Sequence, residues 1–206
     1  MTNPFVRSLL ATDPLPPPGP CLYERILAGN GLFLRAQRDH LQVLFPIQSW
    51  SLPGVISLTP RIHVLPPPIP RPLIGAVLAE AHAAWKDRHG PLESLFHLSY
   101  TDHWELAIPE QIRSAMSVRP RNPAHCPSYA NCLVEIHSHH EMPAFFSAID
   151  NADETGFRIY GVCGNFREQP HISFRVGLYG HFSPLPAGAI ALLPPGLIDR
   201  YPPLST

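Results

Sequence analysis

The stretch that most constrains this chain is residues 133–150, LVEIHSHHEMPAFFSAID. An apolar run ends in His137 and His139, two residues apart. Residues two apart on a strand project from one face, so a strand over Leu133–His139 aims both imidazoles the same way. Seven residues intervene before Ser147, and Asp150 follows three positions later, a spacing that shares one face of a helix. A strand that carries two histidines and a helix that returns a carboxylate can bring three ligands to one point. Two nitrogens, one oxygen and an open fourth position suit a catalytic zinc. An isolated His-x-His pair is commonly structural; Ser147 and Asp150 in order behind it turn the reading towards metal binding. The expected ligands of one Zn2+ ion are therefore His137, His139 and Asp150.

The pattern H-S-H, seven residues, S, two residues, D resembles the metal motif of the JAMM (JAB/MPN) metalloprotease family. The resemblance covers residues 55 to 185. It implies a JAB/MPN-like core, with a mixed β-sheet flanked by helices. It also implies a zinc-dependent peptidase or isopeptidase that acts on ubiquitin-like proteins or their conjugates. The run IHSHHEMPAFFSAIDNADETGFRIYGVCGNF is similar to the bacterial JAMM members of plasmid-associated PRTRC cassettes. Relatives of this kind lie beside genes for a ubiquitin-like protein and its activating and conjugating enzymes, which are the implied partners. One departure is His140, where many members carry Pro.

A second stretch, Pro91-Leu92-Glu93 between a helix and a strand, is similar to the family segment that bears the general acid/base. The resemblance assigns that role to Glu93. The glycines that follow in the family are replaced by Ser94, Leu95, Phe96 and His97, and Glu105 and Glu135 stand as alternative bases. Within the same resemblance Ser147 stabilises the oxyanion, and His140 either orients a ligand or lies at the rim.

Composition narrows the class. Hydrophobic residues make up 45% of the 206 and charged residues 15%, so the chain has the material for a globular core. A net charge of −1 gives no electrostatic basis for binding nucleic acid or an anionic membrane. No run approaches the roughly 20 apolar residues of a membrane span, and the start carries no apolar leader. The four cysteines form no Cys-x-x-Cys pair, which fits free thiols in a cytoplasmic setting. His125 and Cys126 have no partner at zinc-finger spacing, so no structural zinc is expected there. The 27 prolines cluster between apolar segments and read as rigid connectors.

The expected class is α/β (α+β), in three parts. Residues 1–54 form a β-rich extension with strands at Leu22–Leu27, Leu32–Ala36 and Leu41–Phe45, which either props the core or recognises substrate. Residues 55–185 form the core, and 186–206 a proline-rich tail. In the core, Val55–Leu65 reads as a strand broken by Pro60, and Leu73–Arg88 as a helix with an apolar stripe. SLFHLSY and Trp104–Ile108 read as strands, Gln111–Met116 as a short helix and 117–131 as a binding loop. A helix runs through Asp150 to Asp153, and strands follow at Phe157–Gly161 and Ile172–Leu178. Two other functions fit the same residues. One is an inactive MPN-type scaffold. The other is a RadC-like DNA-associated protein, whose H-N-H-P-S-G contrasts with HSHHEM here.

Overall fold

The computed structural model describes residues 5–88 and 90–201. They form an α+β protein dominated by sheet, about 40% strand against 16% helix. The chain divides into two compact units, residues 1–65 and 66–206.

The first unit is a five-stranded sheet in chain order: β1 (Val6–Leu10), β2 (Tyr23–Ala28), β3 (Gly31–Arg38), β4 (Leu41–Ser49) and β5 (Arg61–Val64). The expected meander is present as β2–β4, joined through Gly29-Asn30 and Asp39-His40. Two-residue loops of this kind need left-handed backbone, which His40 adopts at φ 69°. One face buries Ile26, Ala28, Phe33 and Leu44 with Ala11. On that face Glu24 is buried between Arg7 and Arg35, its partners in the strand register. The strand expected over Val55–Leu65 is reduced to Arg61–Val64, because Pro60 lacks the N–H that would extend the ladder. Its pairing with β4 moves the boundary of this unit from 54 to 65.

The second unit opens with α1 (Arg71–Trp85), which has Pro72 in its first turn and buries Ile74, Val77, Ala81 and Ala84. Next come β6 (Leu95–Tyr100), β7 (Trp104–Ala107), β8 (Gln111–Arg113), β9 (Val118–Pro120) and α2 (Pro127–Ala130). β10 (Val134–Ser138), α3 (Ala148–Asp153), β11 (Phe157–Gly164), β12 (His171–Leu178), β13 (His181–Leu185) and β14 (Ile198–Asp199) complete it. The main sheet runs β13-β12-β11-β10-β6-β7, with β14 also paired to β12. β10 and β11 are parallel, so the segment between them must cross over, and α3 lies in that crossover. β11 is buried at every position and sits mid-sheet beside β10.

One further expectation needs correction. Gln111–Met116 is not a helix: Gln111–Arg113 pairs with Val118–Pro120 in a two-stranded hairpin. The Ser114 hydroxyl accepts the N–H groups of Met116 and Ser117, a local bond that favours a turn over a helix. The proline-rich tail packs onto the second unit up to Tyr201. Leu185, Ala187, Ile190 and Ala191 are buried, Ile69 bridges to Ala191, and Asp199 accepts the Ala187 N–H at 2.8 Å. Residues 202–206 lie outside the described residues.

Candidate metal centre

The site begins with the register of β6 against β10. Leu95 lies opposite His137 and His97 opposite Glu135. The ladder continues one link further, because the Ser138 N–H donates to Ser94 O at 3.0 Å. The same register then carries Glu93 to the level of His139, and residues directly opposite in an antiparallel pair share a face. The Ser94 N–H donates to Ser138 Oγ at 2.9 Å, so the serine between the two histidines fastens the strand to the segment after Glu93. From the other side, the Glu93 N–H donates to Ser114 O at 2.9 Å.

The histidine loop closes on β11. The His139 N–H donates to Cys163 O at 2.7 Å, and the Asn165 N–H to Met142 O at 2.7 Å. Gly164 permits this approach, since a Cβ there would lie 2.2 Å from Met142 O. Chain reversal is made at His140, whose φ is 42°. His140 is buried, and burial lowers its pKa.

Asp150 is delivered by α3. Ser147 is the N-cap: its Oγ accepts the Asp150 N–H at 3.2 Å, while Asp150 Oδ2 accepts the Ser147 N–H, a complete capping box. Three donor atoms then converge. His137 Nε2 and His139 Nε2 are 3.1 Å apart, His137 Nε2 and Asp150 Oδ1 3.1 Å, and His139 Nε2 and Asp150 Oδ2 3.6 Å. Tetrahedral zinc with bonds of about 2.0–2.1 Å separates its ligand atoms by roughly 3.3 Å, so these residues fit the ion. Burial disfavours charge on Asp150, but hydrogen bonds from both histidines, the His137 charge and the Ser147 N–H hold its carboxyl well below the usual carboxylate range.

A cleft beside these ligands is lined by Glu93, Glu135, His137, Asp150, Asp153 and Glu154, with Leu95, Val118 and Ile149. Five carboxylates in one cleft attract a cation. Glu93 is 3% exposed, and burial pushes its carboxyl up to about 7 against the opposing charge of His139. The other two sequence candidates are placed differently. Glu105 is exposed on β7 and pairs with His103 at 3.3 Å, while Glu135 in the cleft is held by Arg158 at 3.1 Å.

Below α3, Arg175 on β12 binds Glu154 through Nε at 2.8 Å and Nη2 at 2.5 Å, and Asn151 through Nη1 at 2.6 Å. Its guanidinium lies between the rings of Phe146 and Phe182. These contacts, which no spacing in the sequence signals, fix the helix that carries Asp150. His97, Cys132 and Glu135 form a further potential ligand group. Spacing did not reveal it, because strand register brings together His97 and Glu135, 38 positions apart.

No protein-family model matches the chain, and no curated protein matches it. Among the described residues no helix is long and apolar enough to cross a membrane.

Proposed function

We propose that this protein is a zinc-dependent JAMM-type peptidase or isopeptidase that processes or deconjugates a bacterial ubiquitin-like protein. The observation that carries the reading is the meeting of His137 Nε2, His139 Nε2 and Asp150 at zinc spacing beside the buried carboxyl of Glu93. The JAMM-like motif supplies the reaction class, and the implied gene setting supplies the substrate class.

Zinc held by His137, His139 and Asp150 would supply a Lewis acid that polarises a scissile carbonyl and acidifies water. Glu93 takes a proton from water on its carboxylate and passes it to the leaving amine; burial, which lifts the metal-free carboxyl to about 7, strengthens it as a base. Positioned proton transfer of this kind contributes about 10²–10⁴-fold. Glu105 points its charge to the surface, and Glu135 is occupied by Arg158, which leaves Glu93 as the base. Ser147 uses its oxygen lone pair to cap α3 and keeps its O–H as a donor for an oxyanion. His140 lies buried at the turn behind the ligands and holds the loop, its carbonyl accepting the Phe166 N–H at 2.9 Å.

The test is cleavage of a ubiquitin-like protein carrying a C-terminal fusion, and of an isopeptide-linked conjugate. Each is run with zinc, with chelator and with Glu93→Gln. Cleavage that both chelator and substitution abolish supports the reading. A chain that binds zinc stoichiometrically and cuts neither substrate would overturn it and leave an MPN-type scaffold.

A further inference from the structure

We propose that His97, Cys132 and Glu135 form a second metal site, built for a thiophilic divalent ion such as Zn2+. The inference is independent of whether the first site is catalytic. Register places His97 of β6 opposite Glu135 of β10. The turn between α2 and β10 brings in Cys132, whose N–H donates to Tyr129 O, while the Leu133 N–H donates to Leu98 O. One donor atom from each of the three side chains lies within 4.8 Å of the other two.

The imidazole is set up as a ligand. His97 is 1% exposed, and its Nδ1 lies 2.9 Å from Ser128 Oγ. With the ring proton on Nδ1 and donated to Ser128, Nε2 presents a lone pair to Cys132 and Glu135. A hydrogen bond to the far nitrogen is how ligating histidines are oriented. In the metal-free arrangement Nε2 is buried with no hydrogen-bond partner, and its nearest carboxylate oxygen, Glu135 Oε2, is 3.6 Å away. That distance is too long for a hydrogen bond, and a buried unpaired nitrogen is costly. An ion between the three groups satisfies it.

Charge agrees. Cys132 is fully buried, and its Sγ donates to Val134 O at 3.0 Å. On binding, the thiol proton leaves to solvent and the metal–sulfur bond forms in its place. Thiolate and carboxylate then neutralise a dication. Arg158 lies 3.1 Å from Glu135 Oε2 and is stacked on Tyr129 at 4.3 Å, which orients the carboxylate. A nitrogen, sulfur and oxygen donor set favours zinc-like ions over magnesium or calcium.

The first site contains no sulfur ligand, which makes the two sites separable. Metal-free full-length protein is titrated with Co2+ and followed in the near ultraviolet for thiolate-to-cobalt charge transfer. Bound metal per chain is counted in parallel. The expected result is two ions per chain and a charge-transfer band. Cys132→Ser and His97→Gln should each lose the band and one ion. The His137→Ala/His139→Ala double variant should keep the band and one ion. No band in the unsubstituted chain, or a band that survives in Cys132→Ser, would overturn the proposal. The wild-type spectrum overturns the proposal if it shows no band, even if a variant fails to fold, and Cys132→Ser separates Cys132 from the other three cysteines.

Discussion

Ser138 and Ser94 hold each other twice: the Ser94 N–H donates to Ser138 Oγ at 2.9 Å, and the Ser138 N–H donates to Ser94 O at 3.0 Å. Both residues are buried, and each adjoins a site residue, His137 and His139 on one side and Glu93 on the other. Through this pair the metal strand and the segment bearing the proposed base keep one register. Ser138→Ala leaves a buried N–H without its acceptor, a loss of about 1–3 kcal/mol. Thermal melts should show that loss. Turnover should fall further than metal content, because Glu93 shifts while the three ligands stay.

Asp150→Ala removes one of three protein ligands and should lose the ion of this site, read as one metal fewer per chain after dialysis. Ser147→Ala removes the cap of a six-residue helix, at about 1 kcal/mol, together with the proposed oxyanion donor, so turnover should fall by more than stability. If Ser147→Ala loses stability in proportion but cuts at an unchanged rate, the hydroxyl serves the helix alone.

The raised carboxyl of Glu93 gives a pH dependence with a definite sign. Its ordinary value is 4.5 and burial in the fold lifts it to about 7, so the folded state favours the protonated form. Its contribution to the stability of metal-free protein is fully present below pH about 4.5 and is lost as pH rises through about 7. Glu93→Gln should flatten that part of the profile. Activity should run the other way, rising as the base ionises, and at lower pH than in the metal-free protein because a bound cation favours the carboxylate.

Arg175→Met leaves Glu154 buried without its cation, and breaking a buried pair on one side costs about 3–5 kcal/mol. Arg175→Met with Glu154→Leu removes both charges and should recover most of that loss in denaturant melts. Unequal recovery of metal affinity would show how far the pair positions α3 beyond stabilising it.

Gly164→Ala puts a Cβ within 2.2 Å of Met142 O, which is backbone and cannot move aside alone. Such overpacking costs about 1–3 kcal/mol. Displacement of the 139–142 loop should weaken metal binding, measured by competition with a chelator.

Local patterns determined what the chain shows over short range. Two-residue spacing on a strand aimed His137 and His139 together, and Ser147 with Asp150 marked a helix start. The stripe of Ile74, Val77 and Ala81 marked α1, and the Gly29-Asn30 turn marked a hairpin. These signals are legible because one element's periodicity or capping produces them. Only tertiary structure decided the rest. A ladder whose register is set by pairing brings Glu93 to the level of His139 and His97 opposite Glu135. Arg175 reaches α3 from β12, and β5 joins the first sheet rather than the second. The hairpin at Gln111–Pro120 also escaped, because three-residue strands carry too few positions to show a period. Pairing partners are chosen by the burial of whole faces, and no window along the chain contains that information.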